Sequence, residues 1–273
     1  MTLNCNGQLI DLNTPKIMGI LNLTPDSFYD GGKYIGAENA LIQTEKMLLE
    51  GATFIDVGAC SSKPGAEEIS EEEEARRLFP VLEKLIHKFP HALFSIDTYR
   101  SQIADESLKT GACMINDISG GKFDSKLMKV VGKHCVPYVL MHTKGNLKNM
   151  QANPKYDDII QETLYYFSEK MQEAYRNGIN DIIIDPGFGF GKSIENNYEL
   201  LKNLELFHTL RLPLLVGVSR KSMIYKKLNI KPKQALNGSS VLHSIALSKG
   251  AQILRVHDVK EAKECVDLLE TLY

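Results

Sequence analysis

Residues 93–142 read LFSIDTYRSQIADESLKTGACMINDISGGKFDSKLMKVVGKHCVPYVLMH. Three short apolar runs in this stretch, Leu93–Ile96, Met114–Ile115 and Tyr138–Met141, end in Asp97, Asn116 and His142. The spacers between them, Gln102–Lys109 and Lys126–His134, carry a helical period. Strand alternating with helix is the mark of a parallel sheet built from βα units. The unit recurs on both sides: Ile17–Leu21 ends at Asn22, Phe54–Ile55 at Asp56, Ile182–Ile184 at Asp185, Leu214–Val218 at Ser219 and Ile253–Val256 at His257. Eight such units over about 250 residues predict an α/β fold of the (β/α)8 TIM-barrel type, with its active site at the strand C-termini. The polar residues that end the runs therefore converge on one site.

The remaining sequence fits around that frame. Residues 1–15 alternate polar and apolar about Asn6-Gly7, a tight-turn dipeptide, and are read as a hairpin closing the barrel bottom. The chain 1–273 is taken as one barrel domain. Helix one follows Gly36, and helix two starts from a capping box of Ser70 and Glu73. The acidic run Glu71–Glu74 then reads as a helix N-terminus, where negative charge is favoured, and not as a cation site. Later helices are expected over 157–177, 196–208, 236–249 and 259–269, with Gly111, Gly178 and Gly250 just past helix ends. The loops 23–36, 59–70 and 143–156 are longer than a barrel needs and all leave strand C-termini, so they are candidates to cover a substrate.

Lys and Arg number 32 against 34 for Asp and Glu, a balance that argues against a nucleic-acid partner. No apolar run approaches the roughly 20 residues of a membrane span, and the N-terminus lacks a signal-peptide pattern, so a cytoplasmic setting without membrane association is expected. Five scattered cysteines without metal-site spacing read as reduced thiols, with Cys113 and Cys135 as core filler.

Several residues carry chemistry. Asn22 offers an amide oxygen suited to a hard, well-hydrated cation, or else caps its loop. Asp30, before Gly31-Gly32, is either a turn former or a carboxylate closing over a reacting centre. The stretch from Ile184 to Ser193 fails the phosphate-loop count, because Gly187 and Gly191 enclose three residues where four are needed. It reads as a glycine-rich turn that lets backbone approach a flat ligand, with Asp185 either projecting into the site or capping the turn. Asp97, Asn116, Asp185 and Lys221 suit a heterocycle with amino and ring N–H donors. Arg255 and His257 share one side of the last strand, ahead of a helix, as an anion site, with Ser219-Arg220-Lys221-Ser222 adding charge. The alternative pairs Arg255 with Asp258 or Glu261 on the surface.

With these residues in hand, the chain resembles the dihydropteroate synthases over nearly its whole length. The segments are MGILNLTPDSFYDGG (18–32), IDVGACSSKPGA (55–66), SIDTYR (95–100), INDISGG (115–121), VLMH (139–142), IDPGFGFGK (184–192), SRKSMI (219–224) and RVHDV (255–259). The resemblance implies a cytosolic homodimer that joins 7,8-dihydropterin-6-ylmethyl diphosphate to 4-aminobenzoate in folate biosynthesis, with Mg2+ as cofactor and sulfonamides as competitors. By position, Asp97, Asn116, Asp185 and Lys221 would hold the pterin, Asn22 the Mg2+, and Arg255 and His257 the diphosphate. Phe28, Ser62, Lys63, Pro64 and Ser222 would frame the 4-aminobenzoate, and Asp30 would face the reacting carbon.

One segment departs from the pattern. Where the family usually has Glu-Ser-Thr-Arg-Pro-Gly, this chain has Cys60-Ser61-Ser62-Lys63-Pro64-Gly65. Lys keeps the charge of Arg and loses its fork. The altered loop suggests a sulfonamide-tolerant form. It also leaves two rivals: a pterin-binding paralogue without turnover, and a pterin-dependent methyltransferase domain.

Overall fold

The computed structural model describes residues 1–23, 33–60, 69–145 and 154–272. Strands β1 (Thr2–Cys5) and β2 (Gln8–Asp11) pair antiparallel across Asn6 and Gly7. Those two residues have φ of 52° and 87°, the left-handed pair that a tight hairpin turn requires. Eight parallel strands follow: β3 (Lys16–Asn22), β4 (Phe54–Gly58), β5 (Leu93–Asp97), β6 (Met114–Asp117), β7 (Tyr138–Met141), β8 (Ile182–Asp185), β9 (Leu215–Val216) and β10 (Ile253–Val256). Their order is β8-β7-β6-β5-β4-β3-β10-β9, and the bridge between Ile184 and Leu214 joins the two ends. The sheet is the expected (β/α)8 barrel. Around it lie α1 (Lys33–Leu49), α2 (Glu71–Lys88), α3 (Ser101–Thr110), α4 (Leu127–His134), α5 (Ile159–Arg176), α6 (Ile194–Lys202), the short α7 (Ser222–Tyr225), α8 (Leu236–Ser248) and α9 (Val259–Glu270).

Strand parity divides the interior. Outward residues such as Ile17, Ile55, Phe94, Ile115, Leu140, Ile184, Val216 and Leu254 pack in one core beneath the helices. Inward residues are apolar low in the barrel, where Met18, Phe54, Met114, Val139, Ile183, Leu215 and Ile253 meet Leu3, Cys5, Ile10 and Leu12 of the hairpin. Burying each of those aliphatic side chains contributes roughly 1.5–3 kcal/mol, which holds the hairpin as the barrel floor. Two residues further along, the inward positions of five strands turn polar: Asp56, Ser95, Asn116, Asp185 and Arg255. The site thus stands on a closed apolar base.

Some expectations need correction. The seventh strand, expected over Leu214–Val218, is only Leu215–Val216, with Leu214 in the isolated bridge to Ile184. The sixth helix, expected over 196–208, ends at Lys202 and gives way to a 3-10 turn at Leu204–Leu210. Asn203 explains the break, since its side-chain amide donates to the Glu199 carbonyl at 3.0 Å and competes with the helix ladder. Cys113 is buried as expected, but Cys135 is exposed, at a left-handed C-cap position with φ of 54°. Ser70 does cap α2, accepting from the Glu73 N–H at 3.2 Å, yet the Glu73 carboxylate bonds Arg76 and Arg77, so the box does not close. No helix among the described residues is long and apolar enough to cross a membrane.

Candidate active site

The polar inward layer is organised by Arg255. Its Nε donates to Asp56 Oδ2 at 2.6 Å and its Nη2 to Asp97 Oδ2 at 2.7 Å. Asn116 Nδ2 donates to the same Asp56 oxygen at 2.8 Å. Three strand ends are thereby locked to the last strand through one guanidinium. Asp56 is fully buried, and its Oδ1 and the neighbouring Ser95 Oγ have no hydrogen-bond partner among the described residues. Buried acceptors of that kind are costly unless something fills them, and a ligand N–H is suited to do so. Burial pushes the Asp97 carboxyl up to about 7, with Arg255 opposing and Asp56 adding to the rise. For Arg255, burial works against its charge, but Asp56 and Asp97 hold its pKa above the ordinary value.

Opposite this cluster stands the glycine-rich turn after β8. Asp185 Oδ1 accepts from Gly187 N at 2.7 Å, so this carboxylate both caps its turn and faces the barrel mouth. Burial raises its pKa, against the pull of Lys221 and the Gly187 N–H. Gly187 has φ of +73°, and a Cβ there would lie 2.0 Å from the His142 carbonyl oxygen, so only glycine fits. Lys221 Nζ donates to the Phe188 carbonyl and lies 4.7 Å from the centre of the Phe190 ring. Burial lowers its pKa to about 8, with Asp185 opposing. Lys192, which ended the rejected phosphate-loop match, turns inward to three carbonyls: His142 at 3.1 Å, Gly187 at 3.0 Å and Phe190 at 2.9 Å. It fixes the turn and is not presented to an anion.

At the rim, His257 is exposed and faces Ser219. Ser219 Oγ accepts from the His257 backbone N–H at 3.2 Å and lies 3.1 Å from Nδ1. The serine thus holds the imidazole by its Nδ1 side, on which the ring can act as donor or acceptor according to its tautomer. The expected extra charge from Arg220 is not delivered there. Its guanidinium bonds both oxygens of Asp258 at 2.8 Å and the Lys233 carbonyl at 2.8 Å. A surface pair with Asp258 does form, but through Arg220 and not Arg255. Ser222 opens α7 directly after Lys221, and Asn22 ends β3, half-buried and in register with Gly58.

Asp97, Asn116, Asp185, Lys221, Arg255 and His257 are therefore brought to one end of the barrel. Phe28, Asp30, Ser62, Lys63 and Pro64 lie outside the described residues. Asp56 was marked in the sequence only as a strand end. Its shared parity with Ser95 and Asp97 was the signal that puts it in the same interior. His142 leaves the site, its ring packing edge-on to Tyr166 of α5 at 4.9 Å.

Comparison with known proteins bears on this geometry. A family model described as pterin binding enzyme matches residues 18–257. The dihydropteroate synthase of Escherichia coli is 44% identical over 272 residues, covering 99% of this chain and 96% of its own. A crystal structure of the Yersinia pestis dihydropteroate synthase with a sulfonamide drug complex superimposes with a TM-score of 0.94 at 43% identity, covering 100% of this chain and 99% of that one. The Xanthomonas albilineans enzyme with 4-aminobenzoic acid gives a TM-score of 0.93 at 36% identity, covering 99% and 97%.

Proposed function

The chain belongs to the pterin-binding enzymes, within them to the dihydropteroate synthases, and from that premise we propose that it joins 7,8-dihydropterin-6-ylmethyl diphosphate to 4-aminobenzoate, releasing 7,8-dihydropteroate and diphosphate. The observation that carries this reading is the Arg255 cluster. Two carboxylates and an amide are held at fixed orientation around unfilled acceptors on a closed apolar floor. A pterin offers an amino group and ring N–H donors to such a surface, and its carbonyl oxygen and ring nitrogens suit Lys221 and Asn116.

The reaction is an SN1-like displacement. The bond from the pterin methylene to the diphosphate oxygen breaks with its electron pair leaving on the diphosphate. The ring system carries the positive charge on carbon. The neutral arylamine then attacks and afterwards loses a proton to solvent, so no strong base is required. In this reading the His257 imidazole, the N-terminus of α9 and the Arg255 guanidinium bind the departing anion. By resemblance alone, Asp30 would face the cationic carbon, and Phe28, Ser62, Lys63, Pro64 and Ser222 would frame the arylamine.

The metal reading fits a sparse site. No group of three His, Cys, Asp or Glu able to hold an ion occurs among the described residues. Asn22 would offer a single amide oxygen at the mouth to a hard, well-hydrated ion such as Mg2+. When bound, Mg2+ neutralises charge on the leaving diphosphate. We also read the chain as a cytoplasmic homodimer. Its five free cysteines support a reducing compartment, and exposed Val241 and Ile245 of α8 with Leu268 of α9 support a self-association face.

The test is diphosphate release from the pterin diphosphate, with and without 4-aminobenzoate and Mg2+, with dihydropteroate followed in parallel. Release that needs both additions and matches dihydropteroate supports the synthase. Pterin binding with no release under any condition overturns it in favour of a binding protein.

A further inference from the structure

At the diphosphate side of the mouth, one arginine ties several segments of the chain together. Val218, Ser219, Arg220 and Lys221 form a tight turn after β9, closed by the Lys221 N–H on the Val218 carbonyl at 3.2 Å. Arg220 follows Ser219 in that turn with φ of 54°, a left-handed conformation that glycine or asparagine ordinarily fills. Its backbone N–H donates to Ser239 Oγ of α8 at 2.9 Å. Its Nη1 donates to the Lys233 carbonyl at 2.8 Å. Its Nε and Nη2 donate to the two carboxylate oxygens of Asp258, each at 2.8 Å. The residues on either side of it serve the site instead: Ser219 holds the His257 imidazole and Lys221 reaches the Phe188 carbonyl.

Asp258 is where this network meets the mouth. It stands directly after His257 and is the N-cap residue of α9, yet its side chain makes no capping bond. An aspartate in that position ordinarily turns back to accept from the free N–H groups of the first helical turn. Here both of its oxygens are taken by the planar Arg220 fork, a bidentate geometry that lysine cannot reproduce. The pair is partly exposed, 25% for Arg220 and 18% for Asp258, so its net contribution to stability is small. What the pair decides is where a negative charge sits. Released from Arg220, the Asp258 carboxylate needs only a side-chain rotation to cap α9. Its charge would then stand beside His257, at the end of the barrel that receives the diphosphate.

We infer that Arg220 is a positioning residue for the leaving group: it withholds the Asp258 carboxylate from the start of α9, so that the first-turn N–H groups and the His257 imidazole stay open to the diphosphate. The inference rests on the synthase reading above. It accounts for a cation beside the mouth whose charge is spent on a neighbouring aspartate. It also accounts for a residue other than glycine held at positive φ, since that turn sends the guanidinium to Asp258 while Ser219 and Lys221 face the site.

The experiment uses the full-length enzyme and measures binding of inorganic diphosphate with Mg2+ by calorimetry, alongside the Michaelis constants of both substrates. Arg220→Gln should raise the dissociation constant of diphosphate about tenfold, because a carboxylate then competes for the same donors. Arg220→Lys should act in the same direction. The Michaelis constant for the pterin diphosphate should rise in parallel, while that for 4-aminobenzoate stays within about twofold. Removing the carboxylate as well should restore binding: Arg220→Gln combined with Asp258→Ala, and Asp258→Ala alone, should both bind diphosphate within about threefold of the parent. A pair that merely braces the fold gives no such rescue. A double variant as weak as Arg220→Gln therefore overturns the inference, as does a tenfold loss in Asp258→Ala alone or parental diphosphate binding in Arg220→Gln. Should Arg220→Gln fail to fold, Arg220→Lys and Asp258→Ala carry the same contrast. A parent that binds diphosphate yet forms no dihydropteroate defeats the synthase reading instead, and the binding contrast still decides the role of Arg220.

Discussion

Replacing Arg255 by Met is the perturbation with the largest consequence inside the barrel. The side chain is of similar length, so the interior stays filled and the change is one of charge. Arg255 is the partner of a carboxylate with no exposure, Asp56, at 2.6 Å, and of Asp97, with 8% side-chain exposure, at 2.7 Å. Removing one member of a buried pair typically costs about 3–5 kcal/mol, because the other charge is left without compensation. At about 2–4 °C per kcal/mol for a protein near this size, the melting temperature at pH 7.5 should fall by roughly 6–20 °C. The pH dependence gives the sharper test. Burial already raises the Asp97 carboxyl to about 7 in the native protein, above its unfolded value. A raised carboxyl contributes stability that is fully present below the unfolded pKa and is lost as pH rises through the folded one. Without Arg255 the Asp97 carboxyl loses its cation and its pKa rises further. Arg255→Met should therefore regain stability on acidification from pH 8 to pH 5 more steeply than the parent. Combining it with Asp97→Asn should recover on the order of 1–2 kcal/mol, as expected for residues that share one network. Calorimetric or fluorescence melts across pH 5–8 read both effects. Identical melting of variant and parent at pH 7.5, with parallel pH curves, would refute the claim that Arg255 neutralises these carboxylates.

Other consequences are narrower. Lys221, lowered to about 8 by burial, should lose its proton as pH rises through that value, so kcat/KM for the pterin diphosphate should fall with an apparent pKa near 8, and a profile flat to pH 9.5 would contradict it. Gly189→Ala places a side chain at φ of +81° with its Cβ 3.2 Å from Lys221 Cδ, and should cost about 1–3 kcal/mol in denaturant titrations while weakening pterin binding by calorimetry. Replacing Cys60, Ser62 and Lys63 together by Glu, Thr and Arg should lower the sulfonamide inhibition constant if the natural loop confers tolerance, and unchanged inhibition would dispose of that idea.

The barrel was legible because two short-range rules coincide. A short apolar run, buried on both faces, marked each barrel strand, and the polar residue ending each run marked the mouth. The hairpin was equally local, written in Asn6-Gly7. What escaped was set by distance and phase. Arg255 and Asp56 are 199 residues apart, and nothing near Arg255 signals a partner on the second strand of the barrel. Locally Asp258 stood closer to it, yet Arg220 takes Asp258, because φ of 54° at Arg220 turns the chain at that point. Glu74 was within reach of sequence reasoning. It shares the helical face of Leu78, Leu82 and Leu85, all buried, whereas Glu71 to Glu73 precede that stripe. An acidic residue in phase with a buried stripe demands a cation, and the three-dimensional fold supplies Arg100.

The balance of charge connects this architecture to the chemistry. Asp56, Asp97 and Asp185 are three carboxylates, against the cations Arg255 and Lys221 and a Lys192 whose charged form burial disfavours, so the site carries an excess negative charge while Lys192 is neutral. The raised pKa of Asp97 lowers that excess without a ligand, at the expense of its acceptor character. A flat heterocycle bringing an N–H donor to Asp97 would restore it, because hydrogen bonds to a charged carboxylate favour the ionised form, while Asp56 Oδ1 and Ser95 Oγ accept from its other donors. The folding energy has already oriented these groups, so binding pays little to arrange them. Outward from this interior, the start of α9 offers partial positive charge to the mouth beside the exposed His257 ring. A substrate that parts into an inner cation and an outer anion is stabilised at both ends by such a gradient, while one that keeps its charge together gains from only one. The polarity of the barrel therefore favours heterolysis of a bond lying along its axis, with the carbon inward and the diphosphate outward.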